Sequence, residues 1–157
     1  KVKVMNLRTT IEERYKNAIR AKNNDEINTL RLIKSAIKDK DIASRTTNQK
    51  EGINDTEIMS LLQNLIKQRN DSITSFESAG RDDLADTEKK EIEIISQFLP
   101  KQKTEEETKL LISNIIKEEK LLNIKDMGKL MSILKSKHSG SLDMGLAGKI
   151  AKSKLSN

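Results

Sequence analysis

Apolar side chains recur at helical spacing along almost the whole chain, and no segment shows the strict alternation of a half-buried β-strand. The 157 residues contain a single proline, Pro100, so few positions force such a helical pattern to stop. Aromatic residues make up only 2% of the chain, and therefore Leu, Ile and Met must fill the interior. This pattern predicts an all-α protein, long enough to bury a real core.

Four helices are predicted before Pro100. Asn54 and Glu57 form a capping box at the start of the third helix, and Gly80 suits its C-terminal stop. The polar segment 43–54 between the second and third helices is expected to be a surface loop. The apolar stripes are Leu7, Ile11, Tyr15 and Ala18; Ile27, Leu30, Ile33 and Ile37; Ile58, Leu62, Leu65, Ile66, Ile73 and Phe76; and Leu84, Glu88, Ile92, Ile95 and Leu99.

Three further helices are predicted after Pro100. The first begins at a capping box formed by Thr104 and Glu107, and its stripe is Leu111, Ile112, Ile115 and Ile116. Two short helices each begin at an Asp-Met-Gly triplet, at Asp126 and at Asp143. The chain therefore predicts a four-helix N-terminal domain over 5–100 and a smaller three-helix C-terminal tail domain over 101–157. Residues 1–4 precede Met5, the expected biological start, and are interpreted as cloning-derived or disordered.

The net charge of +6 is unevenly distributed. Residues 1–50 carry 13 basic and 6 acidic side chains, whereas residues 51–100 carry 5 basic and 11 acidic ones. Residues 123–157 hold 7 lysines against 2 aspartates. A lysine-rich end beside an acidic middle indicates a surface that faces an anion, with an ordinary solvated face as the alternative.

The sequence shows none of the residue arrangements that are typical of catalytic sites. The absence of cysteine excludes thiol catalysis and zinc–thiolate sites, and the glycines lack the spacing of a phosphate-binding loop. His138 has no acidic neighbour in sequence and is expected to cap the carbonyl end of a lysine-rich helix, with ligand contact as the alternative. We therefore expect no enzymatic activity, no cofactor and no metal. The chain also lacks a membrane span and a signal peptide, which favours the cytoplasm.

The two terminal helices are where a function is expected. Asp126 and Asp143 are predicted N-caps, and each is followed by a glycine that costs roughly 1 kcal/mol relative to alanine. Close helix packing or the approach of a ligand would offset that cost. Gly145, Lys149 and Lys152 share one helical face, on which a phosphate backbone could lie closely.

RNA is the predicted ligand of this region. Because aromatic side chains for base stacking are scarce, recognition should depend on phosphates and on the shape of a structured RNA. Arg69 and Arg81 are weaker candidates that could instead pair with the acidic middle, and His138 is a third weaker candidate. The candidate RNA-binding residues are Lys129, Lys135, Lys137, Gly145, Lys149, Lys152 and Lys154.

Three segments of the chain carry a family resemblance: Arg31-Leu32, "KQRNDSITSFESAGRDDLADTEKKEIEIISQFLPKQ" at 67–102 and "DMGKLM" at 126–131. They resemble the YqeY-like family, whose members are similar to the C-terminal, tail-bearing part of the B subunit of tRNA-dependent amidotransferases. The resemblance implies a four-helix domain followed by a three-helix one. It also implies association with tRNA or with an aminoacyl-tRNA-handling complex, without catalysis. Asn70 and Ser141 replace basic residues that are common in the family.

The leading hypothesis is thus a non-catalytic RNA-binding accessory protein that recognises tRNA. The alternative is a protein–protein adaptor that docks a basic partner on its acidic 51–100 face. A membrane-surface role for the lysine-rich tail is the third hypothesis. It is weakened because the tail lacks bulky apolar residues opposite the lysines that could enter a bilayer. For eukaryotic relatives, the mitochondrial matrix is an alternative location to the cytoplasm.

Overall fold

The computed structural model describes residues 6–47 and 51–156, and within them it contains seven α-helices, three short 3-10 turns and no strand. The all-α prediction is therefore confirmed. Residues 1–4, interpreted above as cloning-derived or disordered, and the expected start at Met5 lie outside the described residues. The helices are α1 (Leu7–Ala21), α2 (Asn24–Ser44), α3 (Asp55–Ser78), α4 (Asp82–Ser96), α5 (Glu105–Glu118), α6 (Met127–His138) and α7 (Met144–Leu155).

The chain forms two compact units, the first ending at Leu99 and the second beginning at Pro100. Unit 1 contains α1 to α4, and unit 2 contains α5 to α7. Each unit has its own cluster of buried apolar side chains. Leu111, Ile116 and Met131 pack at the edge of the unit 2 cluster, which is built from Ile112, Ile115, Leu121, Leu130, Leu134, Leu142, Ala147, Ile150, Ala151 and Leu155.

The core of unit 1 is formed by residues of the predicted stripes with three additions, Ile53, Leu61 and Phe98. Leu61 of α3 and Phe98, which follows α4, are buried, although the predicted stripes of those two helices did not include them. Because α4 ends at Ser96, the following turn directs Phe98 inward and leaves Leu99 half-buried. The other fully buried large apolar side chains of this unit are Ile11, Leu30, Ile33, Ile58, Leu62 and Ile95.

The predicted helix ends are largely confirmed. Both capping boxes form, at Asn54 with Glu57 and at Thr104 with Glu107. Gly80 follows α3 with a φ of +72°, in the left-handed region where a terminating glycine is favoured.

The predicted loop 43–54 starts too early. α2 continues to Ser44, whose side chain is buried and donates to the Asp41 carbonyl at 2.8 Å, and a 3-10 turn follows over Arg45–Thr47. The local composition is polar, but buried Ser44 keeps the helix against the core. Residues 48–50 of the predicted loop lie outside the described residues.

An ion pair that local sequence patterns did not indicate joins α1, α2 and the segment before α3. The Arg8 guanidinium donates to both Asp41 carboxylate oxygens, at 2.7 and 2.9 Å, and to the Ile53 carbonyl at 3.0 Å. The Ile53 N–H donates to the same carboxylate at 2.9 Å. A methyl group on Gly52 would lie 2.8 Å from the Asp41 Cγ and closer still to its Oδ1. Only glycine fits beside this pair.

Candidate RNA-binding surface

The residues predicted to bind RNA lie on α6 and α7, and three of them share the outward face of α7. Ala147, Ile150, Ala151 and Leu155 are buried in the unit 2 core, where α7 packs against α5 and α6. Gly145, Lys149 and Lys152 are all exposed. With 100° of rotation per residue, these three lie within about 60° of one another around the helix axis. We call Gly145, Lys149 and Lys152 the α7 face.

The lysines of this region carry few internal ion pairs. Within the described chain, only Lys129 of the predicted set has a carboxylate oxygen within 4.0 Å, that of Glu119 at 3.5 Å. Unit 2 as a whole holds 12 lysines against 7 acidic side chains, which gives +5 of the net +6. A surface with this excess attracts polyanions.

The repeated Lys-Ser-Lys tripeptide does not produce a repeated face. In each copy the two lysines are two positions apart, which places them on nearly opposite sides of a helix. Lys154 therefore points away from the direction of Lys152, and Lys135 from that of Lys137. The structure brings Lys149 and Lys152 together with Gly145, but it leaves Lys154 off the α7 face.

The two Asp-Met-Gly triplets also differ in structure. Asp143 is an N-cap as predicted, because its carboxylate accepts from the Leu146 N–H at 3.1 Å. The same prediction for Asp126 is wrong: its carboxylate accepts from the N–H groups of Leu122 and Asn123, at 2.7 and 3.4 Å. These bonds hold the pKa of Asp126 below its usual range. Asp126 therefore closes the turn before α6 instead of capping the helix.

Helix packing does not account for the glycine of either triplet. A Cβ on Gly128 would meet no heavy atom within 4 Å, and one on Gly145 would meet only the capping oxygen of Asp143, at 3.3 Å. By contrast, a Cβ on Gly148 would be in ordinary contact with the Met131 side chain, at 3.8 Å. Gly145 is thus an exposed glycine on a lysine-bearing face, and its only close neighbour is the carboxylate that caps α7.

His138 does not act as the predicted cationic cap. Burial lowers the pKa of its imidazole below the usual 6.5, and the positive charges of Lys103 and Lys137 lower it further. The imidazole lines a cavity of about 220 Å³ between α5 and α6. The Ser141 hydroxyl, and not the imidazole, donates to the last carbonyl of α6, at 3.1 Å.

Lys103 is a cation of this region that the sequence pattern did not reveal. Its N–H donates to the Ser141 carbonyl at 2.8 Å, and the neighbouring Gln102 side chain donates to the Gly140 carbonyl at 2.8 Å. These bonds place Lys103 beside the end of α6. Because the contacts span nearly 40 residues of sequence, no local motif could have indicated them.

The two arginine candidates are engaged in unit 1. The Arg69 side chain is only 11% exposed; its Nε lies 2.7 Å from Glu91 and 3.8 Å from Glu88. Arg81 is exposed and pairs with Asp83 at 3.2 Å. Both arginines therefore pair with acidic residues of the 51–100 segment, which was the alternative to RNA contact. We exclude both arginines from the candidate surface.

The two positions that differ from the family pattern have different surroundings. Asn70 is exposed on α3, whereas Ser141 is half-buried in the turn after α6, where its hydroxyl and carbonyl are both bonded. A basic residue at 141 would have to give up the hydroxyl bond to His138.

Two further features of the described residues bear on function. No three His, Cys, Asp or Glu side chains among them gather into a group that could hold a metal ion. None of the helices in this part of the chain combines the length and the apolar character needed to cross a bilayer.

Comparison with known proteins identifies relatives in fungi. "Altered inheritance of mitochondria protein 41, mitochondrial" of Clavispora lusitaniae is 37% identical over 93 residues, 59% of this chain and 51% of the relative. The protein of the same name from Lachancea thermotolerans is 32% identical over 115 residues, 72% of this chain and 59% of the relative. The chain thus spans about half the length of the curated relatives it matches. The family described as Yqey-like protein matches residues 8–155, and this chain therefore belongs to the YqeY-like family.

Proposed function

We propose that this protein is a non-catalytic RNA-binding accessory factor whose unit 2 contacts the phosphate backbone of a structured RNA. The observation that carries the proposal is the α7 face. It presents two exposed lysines, without carboxylate partners in the described chain, next to an exposed glycine whose added Cβ would meet only the Asp143 carboxylate. Lysine contacts to phosphates position a protein on RNA and do not require aromatic side chains.

Transfer RNA is the proposed partner, and the protein is proposed to act beside an aminoacyl-tRNA-handling complex. Membership of the YqeY-like family supports this choice through the family's likeness to the tail of the tRNA-dependent amidotransferase B subunit. We propose a cytoplasmic location, or the mitochondrial matrix if the chain is eukaryotic. The names of the two fungal relatives, which include the word "mitochondrial", support the second location.

The adaptor alternative receives less support from the charges of the 51–100 segment. Three of its five basic side chains pair with acidic ones in the same segment, because Arg69, Arg81 and Lys89 contact Glu91, Asp83 and Glu77. These pairs neutralise some of the carboxylates of α3 and α4. A basic partner would meet fewer free carboxylates than the sequence count indicates.

The proposal is tested by titrating the protein with folded tRNA at several salt concentrations. The logarithm of the affinity should fall with the logarithm of salt by roughly 0.9 per phosphate contact, as on a nucleic-acid duplex. A double variant, Lys149→Glu/Lys152→Glu, should bind more weakly and reduce this slope by about two.

The matched control is Lys117→Glu/Lys125→Glu, which changes the net charge of unit 2 by the same amount at exposed positions outside α7. This variant should keep most of the affinity and the salt slope. If both double variants lose affinity equally, general charge attraction explains binding and the α7 face is not the site. If wild type does not bind tRNA, the proposed function is wrong.

A further inference from the structure

Unit 1 contains a groove between α1 and α2 that is separate from the lysines of unit 2. Its volume is about 490 Å³, within the size range of small-molecule sites. Ile11 and Ile37 form its almost fully buried floor. Four cations and two carboxylates stand around that floor, namely Arg8, Arg31, Lys34, Lys38, Glu12 and Asp41.

The spacing of three of these cations follows from the helix. Arg31, Lys34 and Lys38 occupy positions i, i+3 and i+7 of α2, so they form one row. At a rise of about 1.5 Å per residue, the row is about 10 Å long. The hydroxyl-bearing Ser35 lies beside it in the groove wall. A row of this kind matches a ligand with several negative charges in line.

The side chains of the row differ in how firmly they are held. Arg31 donates through Nε to the Tyr15 hydroxyl at 3.2 Å, which orients its guanidinium while its terminal N–H groups stay available to a ligand. Lys34 lies 4.0 Å from the centroid of the Tyr15 ring and 3.1 Å from Glu12. Lys38 has no carboxylate oxygen within 4.0 Å in the described chain.

The two carboxylates play different parts. Asp41 is fully engaged by Arg8 and the Ile53 N–H, so together with Arg8 it closes one end of the groove. Glu12 is 47% exposed and makes only a surface ion pair with Lys34. Such exposed pairs contribute little stability, and a more highly charged anion can displace the carboxylate.

We propose that this groove binds a chain of linked phosphates, held by Arg31, Lys34 and Lys38. A guanidinium fork and two ammonium groups suit phosphate oxygens, because the fork donates in pairs and the lysines act as point charges. Linked phosphates carry several charges over a length comparable with the row, whereas a single carboxylate would engage one cation only. The ligand is a free polyphosphate or the triphosphate end of an RNA.

The first experiment titrates the intact protein with inorganic triphosphate by calorimetry and by NMR. Binding should be saturable, and Lys38→Glu should weaken it by at least about fivefold. Glu12→Gln should tighten it, because this change removes the competing carboxylate from Lys34. Lys40→Glu is the matched control, since Lys40 is exposed on the same helix but does not line the groove, and it should change the affinity by less than about twofold.

The outcome decides the proposal in either direction. If Lys38→Glu and Lys40→Glu weaken binding equally, or if the wild type shows no saturable binding, the groove is not a polyphosphate site. Looser binding by Glu12→Gln would also overturn the proposal, because it would show that the carboxylate does not compete with the ligand.

A second pair of ligands separates the two sources of the phosphate chain. An RNA oligonucleotide with a 5′-triphosphate is compared with the same RNA carrying a 5′-hydroxyl. If Lys38→Glu weakens binding of the 5′-triphosphate RNA but not of the 5′-hydroxyl RNA, the groove accepts an RNA end. If Lys38→Glu weakens binding of inorganic triphosphate alone, the groove accepts a free polyphosphate. Lys149→Glu/Lys152→Glu should leave triphosphate binding unchanged, so this proposal and the proposed function can fail independently.

Discussion

At Gly52 the backbone adopts a φ of +87° directly beside the ion pair of Arg8 and Asp41. We expect Gly52→Ala to destabilise unit 1, because the new methyl group would be forced into the Asp41 carboxylate and toward an Arg8 nitrogen 3.0 Å away. Gly80→Ala is the control: its φ is also positive, at +72°, but no heavy atom lies within 4 Å of the added Cβ.

Urea unfolding measures both variants. The free energy of unfolding of Gly80→Ala should fall by about 1–2 kcal/mol, because alanine tolerates the left-handed region less well than glycine. The free energy of unfolding of Gly52→Ala should fall by clearly more. Equal losses would show that the contact with Asp41 is not limiting at this position.

The same ion pair predicts a dependence of stability on pH. Hydrogen bonds from Arg8, and to a lesser extent from the Ile53 N–H, hold the pKa of Asp41 below its usual 3.8. The carboxylate therefore stabilises the folded state fully above pH 3.8, and this contribution is lost as the pH falls through the lower folded-state pKa. Asp41→Asn should lower the free energy of unfolding at neutral pH and reduce its decline in acid.

The control for this prediction is Asp39→Asn, at an exposed position on the same helix. The free energy of unfolding is measured by urea titration from neutral to strongly acidic pH. If the free energy of unfolding of both variants declines in acid as that of wild type does, the ion pair of Arg8 and Asp41 does not cause the decline.

At the scale of the helices, the glycine of α6 offers a test of the local energetics. Gly128 is exposed and an added Cβ would meet nothing within 4 Å. Gly128→Ala should therefore stabilise unit 2 by about 0.5–1 kcal/mol through its higher helix propensity. Gly145→Ala should gain less, because its Cβ would lie 3.3 Å from the carboxylate oxygen that caps α7.

Thermal and urea unfolding of the two variants measures this difference. A loss of stability in Gly128→Ala would mean that the glycine has a structural role that its surroundings do not reveal. If Gly145→Ala is as stable as Gly128→Ala but binds tRNA more weakly, the glycine serves close approach of the RNA.

Helix identity was predictable because the apolar period and the cap residues are local. Asn54 with Glu57 and Thr104 with Glu107 lie three residues apart, and both boxes form. Asp126 was mispredicted because the same residue type suits an N-cap and the third residue of the preceding turn, and only the position of Asn123 decides between them. The three-residue spacing from Asn123 to Asp126 is that of a capping box, so a local signal for this choice is present in the sequence.

The candidate site was predictable to the same extent. The α7 face follows from the i, i+4, i+7 spacing of Gly145, Lys149 and Lys152, which is a local property of one helix. Pairs that join distant segments, such as Arg8 with Asp41, leave no local signal. The row in the α1–α2 groove belongs to this class too, because its cavity exists only once both helices are packed.

At the scale of the whole molecule, the net charge and the two proposed ligands divide between the two units. Unit 1 carries 18 basic and 17 acidic side chains, so it is almost neutral, and four of its cations line the α1–α2 groove. Unit 2 carries most of the net charge and the α7 face. The intact protein is therefore expected to draw the salt dependence of tRNA binding mainly from unit 2.

This division predicts the behaviour of a fragment comprising residues 100–157. The fragment should fold into helices, because its buried residues form a cluster of their own, although a domain of this size is expected to be only marginally stable. It should bind tRNA with nearly the salt slope of the full chain and should not bind inorganic triphosphate. Circular dichroism with the two titrations checks this. A folded fragment that fails to bind tRNA would assign RNA contact to unit 1, whereas an unfolded one would show that unit 2 needs unit 1 to fold.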